Sequence, residues 1–356
     1  MLIAAQRGLT RRALLKWVVF SGAALAADSS GIASSFAPLS RVDPFAGGKK
    51  LGTIPFINEG SVPTDTPVGS ELDGRLYTDL STLDTQNLTT PTEKFYIRTR
   101  ASRLLPEPAS WRLKVDGRAG RLFTLDIGTL QNGAKPMGVH VMECAGNVPL
   151  TDFGLLSAAR WTGVPVSELI ERAQPNPGAT HVLITGFDRY AAPSATSIPG
   201  ASWVFSREEL EKTRAFLATE MSGQPLSKDH GAPVRLVVPG WYGCACIKWV
   251  ETITLVGENI GATSQMREYA VRTHQQGIPR LVTEYEPPVI DQAAMPIRVE
   301  KWSVAGKIKY RVVGIAWGGS TRAPSSPGSG AGDPGRPRPG PPGSRTASVG
   351  TRPPAG

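Results

Sequence analysis

Hydrophobic and polar positions in this chain alternate with period two in several short stretches and follow a helical period in only two. Residues 111–117 (Trp-Arg-Leu-Lys-Val-Asp-Gly) alternate and end at a turn glycine, the pattern of a half-buried strand. Residues 181–186 and 234–240 are apolar runs closed by Gly and Pro-Gly, and 247–255 alternates again, which predicts three more strands. Helical spacing holds over 164–172 and 207–221. The second helix opens at Ser206 with Glu209 three residues on, a capping box. Strands with few intervening helices predict an α+β fold with dominant β content rather than a doubly wound sheet.

The flanks differ in texture. Between 28 and 90 Ser, Thr, Pro, Asp and Gly prevail with little periodicity, so 28–74 is expected to be an extended lead-in that wraps a body spanning 75–286. Near Pro287 the pattern changes. Residues 288–290, 296–302 and 308–317 read as the first strands of a separate β domain, 287–319, far short of the roughly seven strands of a sandwich. From 320 to 356 the chain is Gly, Pro, Ser, Arg and Ala with one large aliphatic, Val349, and no aromatic. Such a segment buries too little apolar area to offset its ordering entropy and is expected to be disordered. The abrupt break suggests out-of-frame translation of a GC-rich gene.

Charge matters only once it is located. Of the formal +9, residues 1–27 contribute four basic residues and no acid, and 320–356 five arginines and one acid. The body is close to neutral, which argues against a nucleic-acid-binding face. The N-terminal charge belongs to an address. Thr10-Arg11-Arg12 precedes an apolar run over 17–25 and an Ala24-Leu25-Ala26 cleavage site, the layout of a Tat signal peptide over 1–27. The run is well short of the roughly 20 residues a membrane span needs. Periplasmic export of a folded protein by the Tat translocon follows as an expectation.

Three cysteines do not make a disulfide framework. Cys244 and Cys246 sit two apart on an expected strand, a poor geometry for a disulfide. Cys144 follows the apolar run 137–142 in Glu143-Cys144-Ala145-Gly146-Asn147. A thiolate on a small-residue loop at a strand end gives a bulky metal complex room to approach, and soft sulfur suits a metal already held by sulfur ligands. No second Cys or His stands at zinc or iron–sulfur spacing, and no Gly-x-Gly-x-x-Gly or P-loop supports a nucleotide cofactor. A lone buried cysteine is more often inert packing, so spacing alone leaves both readings open.

Five blocks in register carry a resemblance. They are Cys144-Ala-Gly-Asn147, Ala159-Arg-Trp-Thr-Gly-Val-Pro-Val166, Phe95-Tyr-Ile-Arg-Thr-Arg100, Asp229-His-Gly-Ala-Pro-Val-Arg235, and Val238-Pro-Gly-Trp-Tyr-Gly243 with Lys248-Trp249. Together they resemble the molybdopterin-binding domain of the sulfite oxidase family over roughly 75–319. The resemblance implies that family's α+β cofactor domain, followed by an immunoglobulin-like dimerisation domain cut short here, so the family's homodimer would lack part of its surface. It implies a molybdenum–molybdopterin cofactor with Cys144 as metal ligand. It places cofactor contacts on Tyr96, Ile97, Arg98, Thr99, Arg100, Asp188, His230, Arg235, Cys246, Ile247 and Lys248, and an active-site tyrosine at Tyr269. The residue types suit such contacts, since a phosphate takes Arg, Lys and His donors, and pterin amino groups take a carboxylate such as Asp188. Each residue also has a plain structural alternative. Asp229-His230-Gly231 reads as a turn, Lys248 as a solvated strand position, and Trp161, Trp241 and Trp249 as core. His140, His181 and His274 are expected to be structural.

The implied activity is oxygen-atom transfer to a small sulfur anion, sulfite to sulfate, with Cys144, Arg98 and Tyr269 at the reacting centre. No haem-attachment motif is present, so an external c-type cytochrome or haem subunit is the expected electron acceptor. Val148 and Pro149 stand where the family carries arginines, and Arg100 where it carries histidine. Two other readings are a sulfoxide-type reductase on the same site and, from a different class, a non-catalytic remnant broken after Ser320.

Overall fold

In the computed structural model the described residues are 45–54, 56, 75–84, 87–98, 107–148, 152–187 and 201–318. The expected signal peptide, most of the lead-in and the tail from 320 lie outside them, as do Thr99, Arg100 and Asp188. Three main sheets carry the fold. One runs β5 (Phe123–Asp126), β4 (Arg112–Gly117), β13 (Val250–Val256), β8 (His181–Gly186), β9 (Ser202–Ser206). The second runs β11 (Gln224–Pro225), β10 (Phe216–Met221), β7 (Leu156–Pro165), β6 (Lys135–Glu143), with β12 (Arg235–Val237) also paired to β10. A shared core joins these two, with Trp161, Trp203, Phe205 and Phe216 at 2% exposure or less. Burying each such side chain contributes about 1.5–3 kcal/mol.

Helices are short: α1 (Ile127–Asn132), α2 (Val166–Ala173), α3 (Arg207–Thr213) and α4 (Ser264–Tyr269). The capping box at Ser206 forms as expected, with Glu209 N–H donating to Ser206 Oγ (3.1 Å) and Ser206 N–H to Glu209 Oε2 (2.7 Å). The helix expected over 207–221 stops early, however. Arg214 turns left-handed (φ 54°) and Phe216–Met221 becomes β10. Tertiary packing overrides helical propensity there, because Phe216, Leu217 and Ala218 are all fully buried in the sheet between β7 and β12. Two strand expectations shrink for a related reason. The run 234–240 yields only Arg235–Val237, and 247–255 begins at Val250, after Trp249 takes a positive φ of 52°. Cys244 and Cys246 are therefore not on a strand: Cys244 lies in the 3-10 turn Gly243–Ala245 and Cys246 ends it. Residues 288–290 form only a single bridge, Trp241 to Val289.

The third sheet runs β1 (Lys49–Ile54), β14 (Ala293–Val304), β15 (Lys307–Trp317). The lead-in thus contributes an edge strand, which its composition does not signal. A buried carboxylate ties these pieces together. Glu300 accepts from Lys50 Nζ (3.0 Å), Arg298 Nε (2.9 Å) and Trp302 Nε1 (3.0 Å). Arg298 Nη1 also donates to the Leu83 carbonyl (2.7 Å). Burial works to raise the Glu300 pKa, but these donors outweigh it and hold it at about 2. Also present is the small pair β2 (Arg75–Leu76) and β3 (Ile97–Arg98), which delivers Tyr96 and Arg98 to the site.

Candidate active site

β6 forms the edge of its sheet and ends at Glu143, leaving Cys144 at the start of a tight loop. Cys144 N–H donates to the Leu155 carbonyl (3.0 Å), Asn147 N–H to the Cys144 carbonyl (2.9 Å), and Gly146 N–H to Cys144 Sγ (3.4 Å). The loop is clamped from both sides through Glu143. Asn147 Nδ2 donates to its Oε1 (3.0 Å) and Trp317 Nε1, at the end of β15, to its Oε2 (2.8 Å). Burial raises the Cys144 thiol pKa, while the Gly146 N–H and the charges of Arg98 and Arg272 pull against it. Burial likewise raises the pKa of Cys244 and Cys246.

Cys144 opens into a cavity of about 110 Å³. Among the predicted residues Tyr96, Arg98, Arg235, Cys246, Ile247, Lys248 and Tyr269 line it with Cys144. No carboxylate does so among the described residues. Arg235 is 3% exposed and donates only to neutral acceptors: the His230 carbonyl (3.0 Å), Met142 Sδ (3.0 Å) and the Cys246 carbonyl (3.4 Å). Its Nε is buried with no partner. A buried guanidinium without a counter-ion costs several kcal/mol unless an anion reaches it. Lys248 Nζ donates to the Arg98 carbonyl (3.2 Å), and burial, then Arg235, lowers its pKa to about 7.

Tyr269 ends α4, whose N-cap Thr263 accepts from Met266 N–H (3.1 Å) and donates to the Ser202 carbonyl of β9 (2.7 Å). Burial pushes the Tyr269 hydroxyl up to about 12, so it is a neutral hydrogen-bond donor at any working pH. Two predicted residues stand behind the wall. Ile97 is buried in β3 without facing the cavity. His230 is engaged at both ring nitrogens, Nδ1 with Ser227 Oγ (2.8 Å) and Nε2 with the Phe95 carbonyl (3.2 Å). Burial lowers its pKa to about 4, so it is a neutral strut beneath Phe95. The lining also includes Gly243, which ends one of the five blocks, and Met142, Cys244 and Gln265, which belong to none of them. Gln265 is the findable one, since it stands one helical turn before Tyr269 on the same face.

Residues 102–263 match a family described as an oxidoreductase molybdopterin binding domain. Sulfite oxidase of Gallus gallus is 31% identical over 199 residues, covering 51% of this chain and 42% of that one. The mitochondrial sulfite oxidase of Homo sapiens is 32% identical over 200 residues, covering 52% and 36%. The chain thus carries an oxidoreductase molybdopterin binding domain and is similar to sulfite oxidases over it. An NADPH nitrate reductase of Fusarium oxysporum is also similar, 36% identical over 161 residues, covering 42% of this chain and 17% of that one. Among solved structures, the sulfane dehydrogenase SoxCD of Paracoccus pantotrophus shares the fold, with a TM-score of 0.52 at 18% identity over 77% of this chain and 71% of that one. The chain matches less than half the length of these sulfite oxidases.

The cavity fits the cofactor that this family's domain binds. Its donor set is a thiol for a soft metal and, for an anionic phosphate, the cations Arg235 and Lys248 in a wall that includes no carboxylate among the described residues. Gly243 keeps one wall open, since a Cβ there would stand 2.8 Å from Tyr96 Oη and 3.2 Å from the Glu143 carbonyl. Gly231, at φ +109°, lets the backbone pass 3.0–3.1 Å from the Cβ atoms of Arg235 and Lys248 as measured from its would-be Cβ.

Two predictions arise from this geometry. Trp317→Phe removes one of the two side-chain donors to a buried carboxylate. It is expected to lower stability by about 1–3 kcal/mol, read as a lower denaturation midpoint with an unchanged slope. Lys248 titrates near 7 when folded against about 10.4 unfolded, so between those values the unfolded chain binds more protons. Stability of the cofactor-free chain should therefore rise with pH across that window, by up to about 1.4 kcal/mol per unit from this group. Denaturant titrations of the parent and Lys248→Met at pH 7, 8 and 9 should diverge by that slope; parallel curves would contradict it.

Proposed function

We propose that this chain is a Tat-exported periplasmic enzyme that oxidises a small sulfur oxyanion, sulfite to sulfate, and delivers the electrons to an external c-type cytochrome or haem subunit. The observation that carries this reading is a partly shielded thiol in a cavity walled by Arg98, Arg235 and Lys248 with no carboxylate among its described lining. Sulfite and water give sulfate, two protons and two electrons, and the electrons leave one at a time to the haem protein. When bound, the molybdenum centre supplies the oxygen-atom transfer chemistry. Cys144 serves as the protein's ligand to the metal, and Arg235 and Lys248 hold the cofactor's anionic part. Arg98 draws the substrate anion in with charge-assisted hydrogen bonds worth about 1.5–3 kcal/mol. Tyr269 keeps its proton and orients the bound oxyanion.

The test is sulfite-dependent reduction of cytochrome c by chain purified from the periplasm of a Tat-competent host. Reduction that follows sulfite concentration supports the reading. A molybdenum-loaded chain that reduces no cytochrome in sulfite would sink it. The nitrate reductase similarity supports a second reading, reduction of an oxyanion at the same site. Nitrate-dependent oxidation of a reduced viologen dye by the same sample would favour that one instead.

A further inference from the structure

Arg272 is an arginine that neither the sequence motifs nor the cavity lining brings forward. It ends the 3-10 turn Ala270–Arg272 that continues α4 beyond Tyr269. Its flanking positions are fixed. Ala270 and Thr273 are fully buried, and Thr273 Oγ1 donates to the Tyr269 carbonyl (2.9 Å). From this anchored backbone the side chain runs out to the Cys144 loop. Its Nη1 stands 3.3 Å from where a Cβ on Gly146 would be, and the guanidinium carbon lies 5.8 Å from the Tyr269 ring centroid. The residue itself is exposed, so it sits on the solvent side of the thiol.

Two further observations bear on what it can bind. Its guanidinium donates no hydrogen bond and meets no carboxylate within ion-pair distance among the described residues, although the fork has five donors. Its charge also acts on the Cys144 thiol together with that of Arg98, the half-buried arginine on β3. The two guanidiniums therefore bear on one sulfur atom from different elements, and the Arg98 fork likewise has no hydrogen-bond partner among the described residues. Paired forks are the arrangement that recognises a compact oxyanion, because each presents planar N–H groups to two oxygens.

We propose that Arg272 is a substrate-positioning residue, the second guanidinium of a two-arginine clamp that holds a tetrahedral or pyramidal oxyanion at the mouth of the site. This rests on the sulfur-oxyanion reading above and names the group that gives it anion selectivity. Val148 offers no cation at the far end of the described Cys144 loop, and Arg272 supplies one from the end of α4 instead. The contact with the Tyr269 ring is the competing role, worth little at an exposed position.

The experiment is calorimetric binding of sulfate to the molybdenum-loaded full chain, for the parent, Arg272→Met, Arg272→Lys and Arg98→Met. The expected result is a sulfate affinity weakened roughly tenfold to a hundredfold in Arg272→Met, with molybdenum content and melting temperature unchanged. Arg272→Lys should recover only part of the loss, because it keeps the charge and loses the fork. In turnover the effect should fall on the KM for sulfite more than on kcat. Parent-like sulfate binding in Arg272→Met, with loss in Arg98→Met, would overturn the clamp alone, and a changed metal potential in that variant would mark Arg272 as a tuner of the thiolate. A loaded parent that binds no sulfate would overturn the sulfur-oxyanion reading and the clamp with it.

Discussion

Cys144→Ser is expected to abolish molybdenum-dependent turnover while leaving the fold intact. The exchange is nearly isosteric, and the loop's geometry does not depend on sulfur. Its hydrogen bonds run through the Cys144 backbone, Asn147 and the Glu143 carboxylate, and a serine oxygen accepts the Gly146 N–H as readily as sulfur does. What changes is the ligand. Serine is a hard oxygen donor that stays protonated, whereas a soft metal already held by sulfur takes a thiolate. Losing a group that merely orients a metal ligand already costs roughly 10–100-fold, so losing the ligand itself should exceed roughly a hundredfold. X-ray absorption at the molybdenum edge should count one sulfur fewer in the variant. A variant with parent-like turnover would show that Cys144 is packing and not a ligand.

The second large effect carries opposite signs on stability and on cofactor retention. Arg235→Met removes a fully buried cation that meets no carboxylate among the described residues and whose Nε has no partner. Replacing an uncompensated buried charge by an apolar side chain of similar length is neutral or stabilising. The lost donors to the His230 carbonyl and Met142 offset part of that gain. The cofactor-free variant should therefore match the parent within about 1 kcal/mol or exceed it. Its molybdopterin content after purification should nevertheless fall at least roughly tenfold, since a charge-assisted pair to a buried phosphate is worth about 1.5–3 kcal/mol or more. A variant that unfolds, yet in whose folded fraction pterin content stays at the parent level, would show that Arg235 is architectural.

These two residues also mark how far the sequence is readable. Cys144 stands at the end of a strand whose apolar run is evident, and the small residues after it give the loop away. Arg235 and Lys248 come from the register of the family's blocks and Tyr269 from the resemblance beyond them, and the structure gathers all three around one cavity although they lie on three separate segments. Period-two strands with distinct boundaries, such as β4 and β8, are legible because their pattern is set locally. The β10 segment is not: Phe216–Met221 continues a helix-compatible run, and only burial in the sheet against β7 and β12 decides it for strand. Likewise nothing local to Lys49–Ile54 shows that it will find β14, or that Glu300 will hold Lys50. His230 reads as a cavity donor from its block, but both its ring nitrogens face protein, a fact of tertiary packing that no spacing reveals. Arg272 gives no sequence signal for the converse reason. It belongs to no motif and gains its meaning from where α4 docks.

The proposed chemistry rests on a molybdenum–molybdopterin centre being held at Cys144. The measurement that bears on it most directly is the molybdenum and pterin content of the full chain, purified in soluble form from the periplasm of a Tat-competent host. Close to one molybdenum and one pterin per chain, both falling in Arg235→Met, is the expected result. Soluble, folded and exported chain carrying neither would contradict it.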